Sequence, residues 1–171
     1  MFHRMNIVVS CLAVTLLAGC SWFGKKEAQA PAAVGTSSLK VVNVLDKNLY
    51  DDAHIAGSIQ VDFENVKDAA EGWNKNDTVV FYCSNYQCQA SFESARQLKE
   101  LGFNNVMAFE GGMEEWYRLN KEGDASYKVE GPGAQDYLKM KIAKPEHTEE
   151  SAVKIITAAE LKDLMSKEGL L

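Results

Sequence analysis

The 171-residue chain has no tract of clustered Lys and Arg, only four cysteines and only three histidines. Each shortage excludes a class of protein. Phosphate backbones are held by clustered cations, so at a net charge of −6 nucleic acid is not an expected partner. Four cysteines are too few to staple a disulfide-built miniprotein. No His or carboxylate pairs with another at metal-ligand spacing, so no metal site and no cofactor are expected. What is present is an ordinary globular composition, 46% hydrophobic and 25% charged, too apolar for a disordered polymer.

The N-terminus reads as an address. His3 and Arg4 form a short basic start, and residues 7–18 are apolar apart from Ser10 and Thr15. That run is shorter than the ~20 residues of a spanning helix. It ends in Leu17-Ala18-Gly19-Cys20, which resembles a bacterial lipobox, with cleavage before Cys20 and lipid on its thiol. Residues 1–19 are therefore expected to be a lipoprotein signal peptide, and 20–38, with Lys25-Lys26 followed by Ala, Gln, Pro, Gly, Thr and Ser, a flexible tether. Ser21 in place of an Asp suggests the outer membrane of a Gram-negative envelope, facing the periplasm. Loss of residues 1–19 removes Arg4 and no acid, leaving 17 cations against 24 anions, or −7. Cys11 goes with the signal and Cys20 to lipid, so Cys83 and Cys88 remain as thiols.

The rest alternates strands with helices. Strands are expected at 39–45, 55–61, 78–82 and 105–109, from β-branched and apolar runs bounded by turn residues. Helices are expected at 63–70, at 91–101 with Phe92, Ala95, Leu98 and Leu101 on one face, and after the Gly111-Gly112 turn, where Trp116 should be core. Alternation of this kind implies an α/β fold with a mainly parallel sheet and helices on both faces. Ligands of such sheets sit at the C-terminal strand ends.

Cys83 lies at such an end. The strand at 78–82 runs directly into Cys83-Ser84-Asn85-Tyr86-Gln87-Cys88-Gln89 and then the helix. Backbone N–H groups and a helix N-terminus converging on a thiol would lower its pKa and stabilise a persulfide anion.

Four motifs then resemble the rhodanese family, in its order and near its spacing. They are Ala53-His54-Ile55-Ala56-Gly57-Ser58-Ile59 (the family's G-H-I-P-G-A-I), Tyr82-Cys83 with its loop, Gly102-Phe103-Asn104-Asn105-Val106, and Glu110-Gly111-Gly112-Met113-Glu114-Glu115-Trp116. The resemblance implies a five-stranded sheet, a sulfur-carrying Cys83, an active-site loop of Ser84, Asn85, Tyr86, Gln87 and Gln89, and a structural His54. Departures are specific. The family's D-x-R strand end is Asn43 and Leu45 here, and the loop carries no cation, so a dianion such as thiosulfate should bind it weakly. Gln89 stands where related phosphatases need the Arg of Cys-x5-Arg. Cys83-x4-Cys88 resembles a C-x4-C variant of the family, in which Cys88 is either a resolving thiol or a packed bystander.

The family's opening strand and helix are missing before residue 39. Val153-Lys154-Ile155-Ile156-Thr157-Ala158-Ala159-Glu160-Leu161 looks like that opening, with Thr157 and Glu160 at capping-box spacing. The expected organisation is a rhodanese-like core at 39–123, a connection at 124–151 with an edge strand near 138–142, and a closing strand and helix at 152–171 that circularly permute the domain. A truncated second domain is the alternative. The expected function is a sulfurtransferase or persulfide carrier at the cell envelope. A thiol-disulfide module using Cys83 and Cys88, or a non-catalytic rhodanese-like binding domain, stands as the alternative. Partners would be a small sulfur donor or a thiol acceptor, protein thiols included, and the membrane through the N-terminal lipid.

Overall fold

A computed structural model describes residues 37–145 and 153–171. Among the described residues no helix is long and apolar enough to cross a membrane.

Strand β1 (Leu39–Asn43) is followed by helix α1 (Lys47–Asp52), then β2 (His54–Ile55) and β3 (Ile59–Gln60). The single strand expected over 55–61 is thus two short ones, because Gly57 turns the chain between them at φ 79°. Helix α1 follows from local chemistry: the Asp46 side chain accepts the Leu49 amide as an N-cap. A 3-10 turn at Phe63–Asn65 leads into α2 (Val66–Ala69). Then come β4 (Thr78–Tyr82), α3 (Ala90–Glu100), β5 (Asn105–Phe109), α4 (Gly112–Lys121) and β6 (Val129–Glu130). The C-terminal piece supplies β7 (Lys154–Ile155) and α5 (Ala158–Lys167).

The main sheet has the order β3-β1-β4-β5-β7 with every pair parallel, and β2 pairs antiparallel with β6. Alternation along the strands divides the core. Val41, Val80, Tyr82 and Phe109 face one side, with Met113 and Trp116 of α4 and Leu161 and Met165 of α5. Val42, Val79, Phe81 and Cys83 face the other, under Ala95 and Leu98 of α3. Helices therefore cover both faces of a mainly parallel five-stranded sheet, the expected α/β class.

The C-terminal segment is part of this core. Met107 and Ala108 of β5 pair with Lys154 and Ile155, and the Ile156 amide donates to the Ala108 carbonyl at 2.9 Å. Thr157 and Glu160 form both bonds of the capping box, so α5 starts where expected. The edge strand expected near 138–142 is not formed. A 3-10 turn at Asp136–Lys139 takes its place and buries Leu138 against the α4 face of the core. The connection is anchored at Asp52, whose carboxylate accepts the amides of Ala134 and Gln135 at 3.0 and 3.1 Å. Trp116 is buried, and its indole N–H donates to the Lys128 carbonyl at 3.0 Å, as a core reading required.

Candidate functional site: a thiol pair at the end of β4

β4 is the middle strand of the sheet, and Cys83 continues its alternation, turning its side chain toward the α3 face. Cys83 is 0% exposed. Its Sγ donates to the Cys88 carbonyl at 3.1 Å and lies 3.7 Å from the Ser91 hydroxyl, just inside α3. The other side of the loop's start rests on α4. Met113 and Glu114 donate their amides to the carbonyls of Cys83 and Ser84, each at 2.9 Å. These are donors that the first helical turn leaves without intrahelical partners. Gly112 makes the contact possible. At φ 63°, a Cβ there would sit 2.6 Å from the Cys83 carbonyl oxygen and 2.8 Å from the Asn85 nitrogen. Gly111 precedes it as the N-cap of α4.

The loop does not converge on Cys83 as its spacing suggested. Asn85 is buried and organises the interior: its carbonyl accepts the Cys88 amide, and its side chain accepts the Gln87 amide, both at 3.0 Å. The Ser84 and Ala90 amides serve Cys88 instead. Cys83 is faced by the Ser91 amide and hydroxyl. The expected lowering of the Cys83 pKa is thereby reversed. Burial pushes that thiol up, and the neighbouring Cys88 pushes it further. Cys88, half-buried, goes the opposite way, down to about 5, first through a hydrogen bond from Cys83 and then through the Ala90 and Ser84 amides. The two thiols are thus pushed in opposite directions, the enclosed Cys83 up and the more accessible Cys88 down. Both are free thiols in this structure.

Tyr86 and Gln89 face outward. Tyr86 donates to Glu115 at 3.0 Å and walls a cleft of ≈ 450 Å³ with Arg118, Lys141, Ile142, Ala143 and Lys144. Cations absent from the loop itself thus stand beside it, brought by α4 and the connection. Ser91 and Tyr137 were not singled out by sequence. Ser91 carries a weak signal, a hydroxyl residue opening a helix after a cysteine loop. Tyr137 carries none; its hydroxyl is buried without a partner, within electrostatic range of Tyr82, Asp52 and Cys83.

His54 is structural. Nδ1 meets the Tyr50 carbonyl at 2.8 Å, Nε2 meets Glu130 at 3.1 Å, and the ring stacks on Tyr50 at 3.9 Å. In place of the D-x-R strand end, the Asn43 side chain accepts the Leu45 amide at 2.8 Å. Among the described residues no group of His, Cys, Asp and Glu is placed to hold a metal.

Cys83 thus sits at the C-terminal end of the central strand of a parallel sheet, between the first turns of α3 and α4. The chain belongs to the rhodanese-like domain family, which it matches over residues 26–119. Thiosulfate sulfurtransferase GlpE of Coxiella burnetii is 29% identical over 86 residues, covering 50% of this chain and 78% of that one. The putative sulfur carrier protein YrkF of Bacillus subtilis is 30% identical over 79 residues, 46% of this chain and 42% of that protein. The crystal structure of the BH2092 protein from Bacillus halodurans is similar at 27% identity and TM-score 0.47, over 56% of this chain and 65% of that one.

Proposed function

We propose that the protein is a sulfurtransferase or persulfide carrier that holds sulfane sulfur as a persulfide on Cys83. The observation that carries this reading is Cys83 itself, enclosed at the end of β4 by the loop, the Ser91 end of α3 and the Gly112 end of α4. The family match and the similarity to relatives named as a thiosulfate sulfurtransferase and a putative sulfur carrier support it. In chemical terms a donor R–S–SH gives its outer sulfur to the site and leaves as R–SH. An acceptor thiolate later takes the sulfur from Cys83–S–SH, and no net oxidation occurs. Peptide mapping by mass spectrometry after exposure to a sulfane donor tests the reading. One added sulfur on Cys83 is expected, and its absence overturns it. A second reading, thiol-disulfide exchange, is favoured by the contact between the two cysteines, with the Cys83 thiol donating to the Cys88 carbonyl at 3.1 Å. It requires equal loss of activity in Cys83→Ser and Cys88→Ser.

The Leu17-Ala18-Gly19-Cys20 motif supports lipidation at Cys20 and a place at the outer membrane, facing the periplasm. Metabolic labelling with a fatty acid, lost in Cys20→Ala, tests this. The C-terminal strand and helix take the edge position beside β5, and we read the domain as circularly permuted.

A further inference from the structure

The two sulfurs of the site are not equivalent in access. Cys83 has no exposed surface, whereas Cys88 is only half-buried. The Cys83 thiol donates to the Cys88 carbonyl at 3.1 Å, so the two residues are in direct contact. The Cys88 sulfur is also held by the amides of Ser84 and Ala90, the latter the first residue of the eleven-residue helix α3. Resting on the reading of Cys83 as sulfur carrier, we propose that Cys88 is the entry thiol, which takes sulfane sulfur from a small persulfide- or polysulfide-class donor and relays it inward to Cys83.

The relay balances without an outside oxidant. The Cys88 thiolate attacks the outer sulfur of R–S–SH; the bond from that sulfur to R–S breaks, and RS⁻ leaves with the electron pair. The Cys83 proton passes to RS⁻, giving R–SH and Cys83–S⁻ beside Cys88–S–SH. Cys83–S⁻ attacks the outer sulfur, the Cys88 S–S bond breaks, and Cys88 departs as a thiolate. The sum is R–S–SH plus Cys83–SH giving R–SH plus Cys83–S–SH, with Cys88 regenerated. Two features favour this direction. The amides of Ser84 and Ala90 receive the departing thiolate, and a better-stabilised thiolate leaves faster. Cys83, the more basic thiol, is the stronger nucleophile once deprotonated. Without Cys88, a donor has to displace the loop to reach Cys83.

The test uses the full chain, reduced and kept anaerobic, with inorganic polysulfide as donor, in wild type, C83S and C88S of matched circular dichroism. Rapid quenching and mass spectrometry follow sulfur uptake. C83S is expected to gain one sulfur on Cys88 and to hold it there. C88S is expected to load Cys83 at least about ten-fold more slowly. Iodoacetamide supplies a readout that needs no sulfur donor: Cys88 in C83S should alkylate at least about ten-fold faster than Cys83 in C88S. Loading of C88S at the wild-type rate, or equal alkylation of the two thiols, overturns the relay while leaving Cys83 as carrier. Failure of the wild type to take up sulfur overturns both. Conversion of the wild type to a Cys83–Cys88 disulfide with release of sulfide overturns the relay in favour of the redox reading.

Discussion

Met113 donates its backbone N–H to the carbonyl of Cys83 at 2.9 Å, so the first turn of α4 holds Cys83 by its own main chain. Gly112 permits this approach. Its Cβ position is occupied by backbone atoms of Cys83, Ser84 and Asn85, none of which can swing away as a side chain would. The Gly112→Ala change should lower stability by about 2 kcal/mol or more, from left-handed strain plus displaced backbone. It should also abolish sulfur loading, because the loop moves off α4. Urea unfolding and mass spectrometry on the same preparation check both effects.

Tyr82 ties the site's strand to the turn after β2. Its hydroxyl is fully buried, accepts the Ile55 amide at 3.0 Å and shares a 2.8 Å hydrogen bond with Ser58. Burial holds its pKa well above the ordinary value, so it remains neutral at working pH. Tyr82→Phe leaves the Ile55 N–H without its partner and should cost about 1–3 kcal/mol. A change in unfolding free energy near zero would contradict this account of the hydroxyl.

Removal of residues 152–171 should unfold the domain rather than trim it. Leu161 and Met165 have no exposed surface, and without α5 the apolar face around Phe109 and Trp116 meets water. The milder Leu161→Ala should cost about 2–5 kcal/mol. Unchanged thermal unfolding of the truncated chain would contradict the role given to this segment.

Much of this arrangement was legible because the signals were local. The strands at 78–82 and 105–109 are dense in β-branched and apolar residues, and their bounds agree with expectation. The Thr157–Glu160 capping box states a helix start in four residues. Helix α1 escaped notice because Lys47–Asp52 is too short for apolar periodicity and rests on the Asp46 cap. Residues 138–142 alternate like a strand, but long-range bonds from Ala134 and Gln135 to Asp52 set the connection's course. At the site, the position of Cys83 was readable and its acidity was not. A thiol's pKa depends on how fully it is enclosed and on which amides face it. That was decided by the buried Asn85, which turns two loop amides away from Cys83.

Thiol reactivity should report this division of roles through pH. The Cys88 pKa is lowered to about 5, so its anion is present above that pH and is lost as the pH falls through it. An unperturbed cysteine loses its anion already near pH 8.5. Iodoacetamide alkylation of the wild type should therefore stay fast at pH 6 and fall in acid. In Cys83→Ala, which removes the hydrogen-bond donor that contributes most to the lowering, the midpoint should move upward. A wild-type midpoint near the ordinary cysteine value would contradict the hydrogen-bond assignment.

The central claim is that Cys83 stores sulfane sulfur. Its most direct test is peptide mapping of the reduced, full-length chain after brief anaerobic exposure to inorganic polysulfide. A mass gain of one sulfur atom is expected, localised to Cys83 at the end of the reaction and discharged by an added thiol. A chain that gains no sulfur, or only loses two hydrogens to a Cys83–Cys88 disulfide, would contradict it.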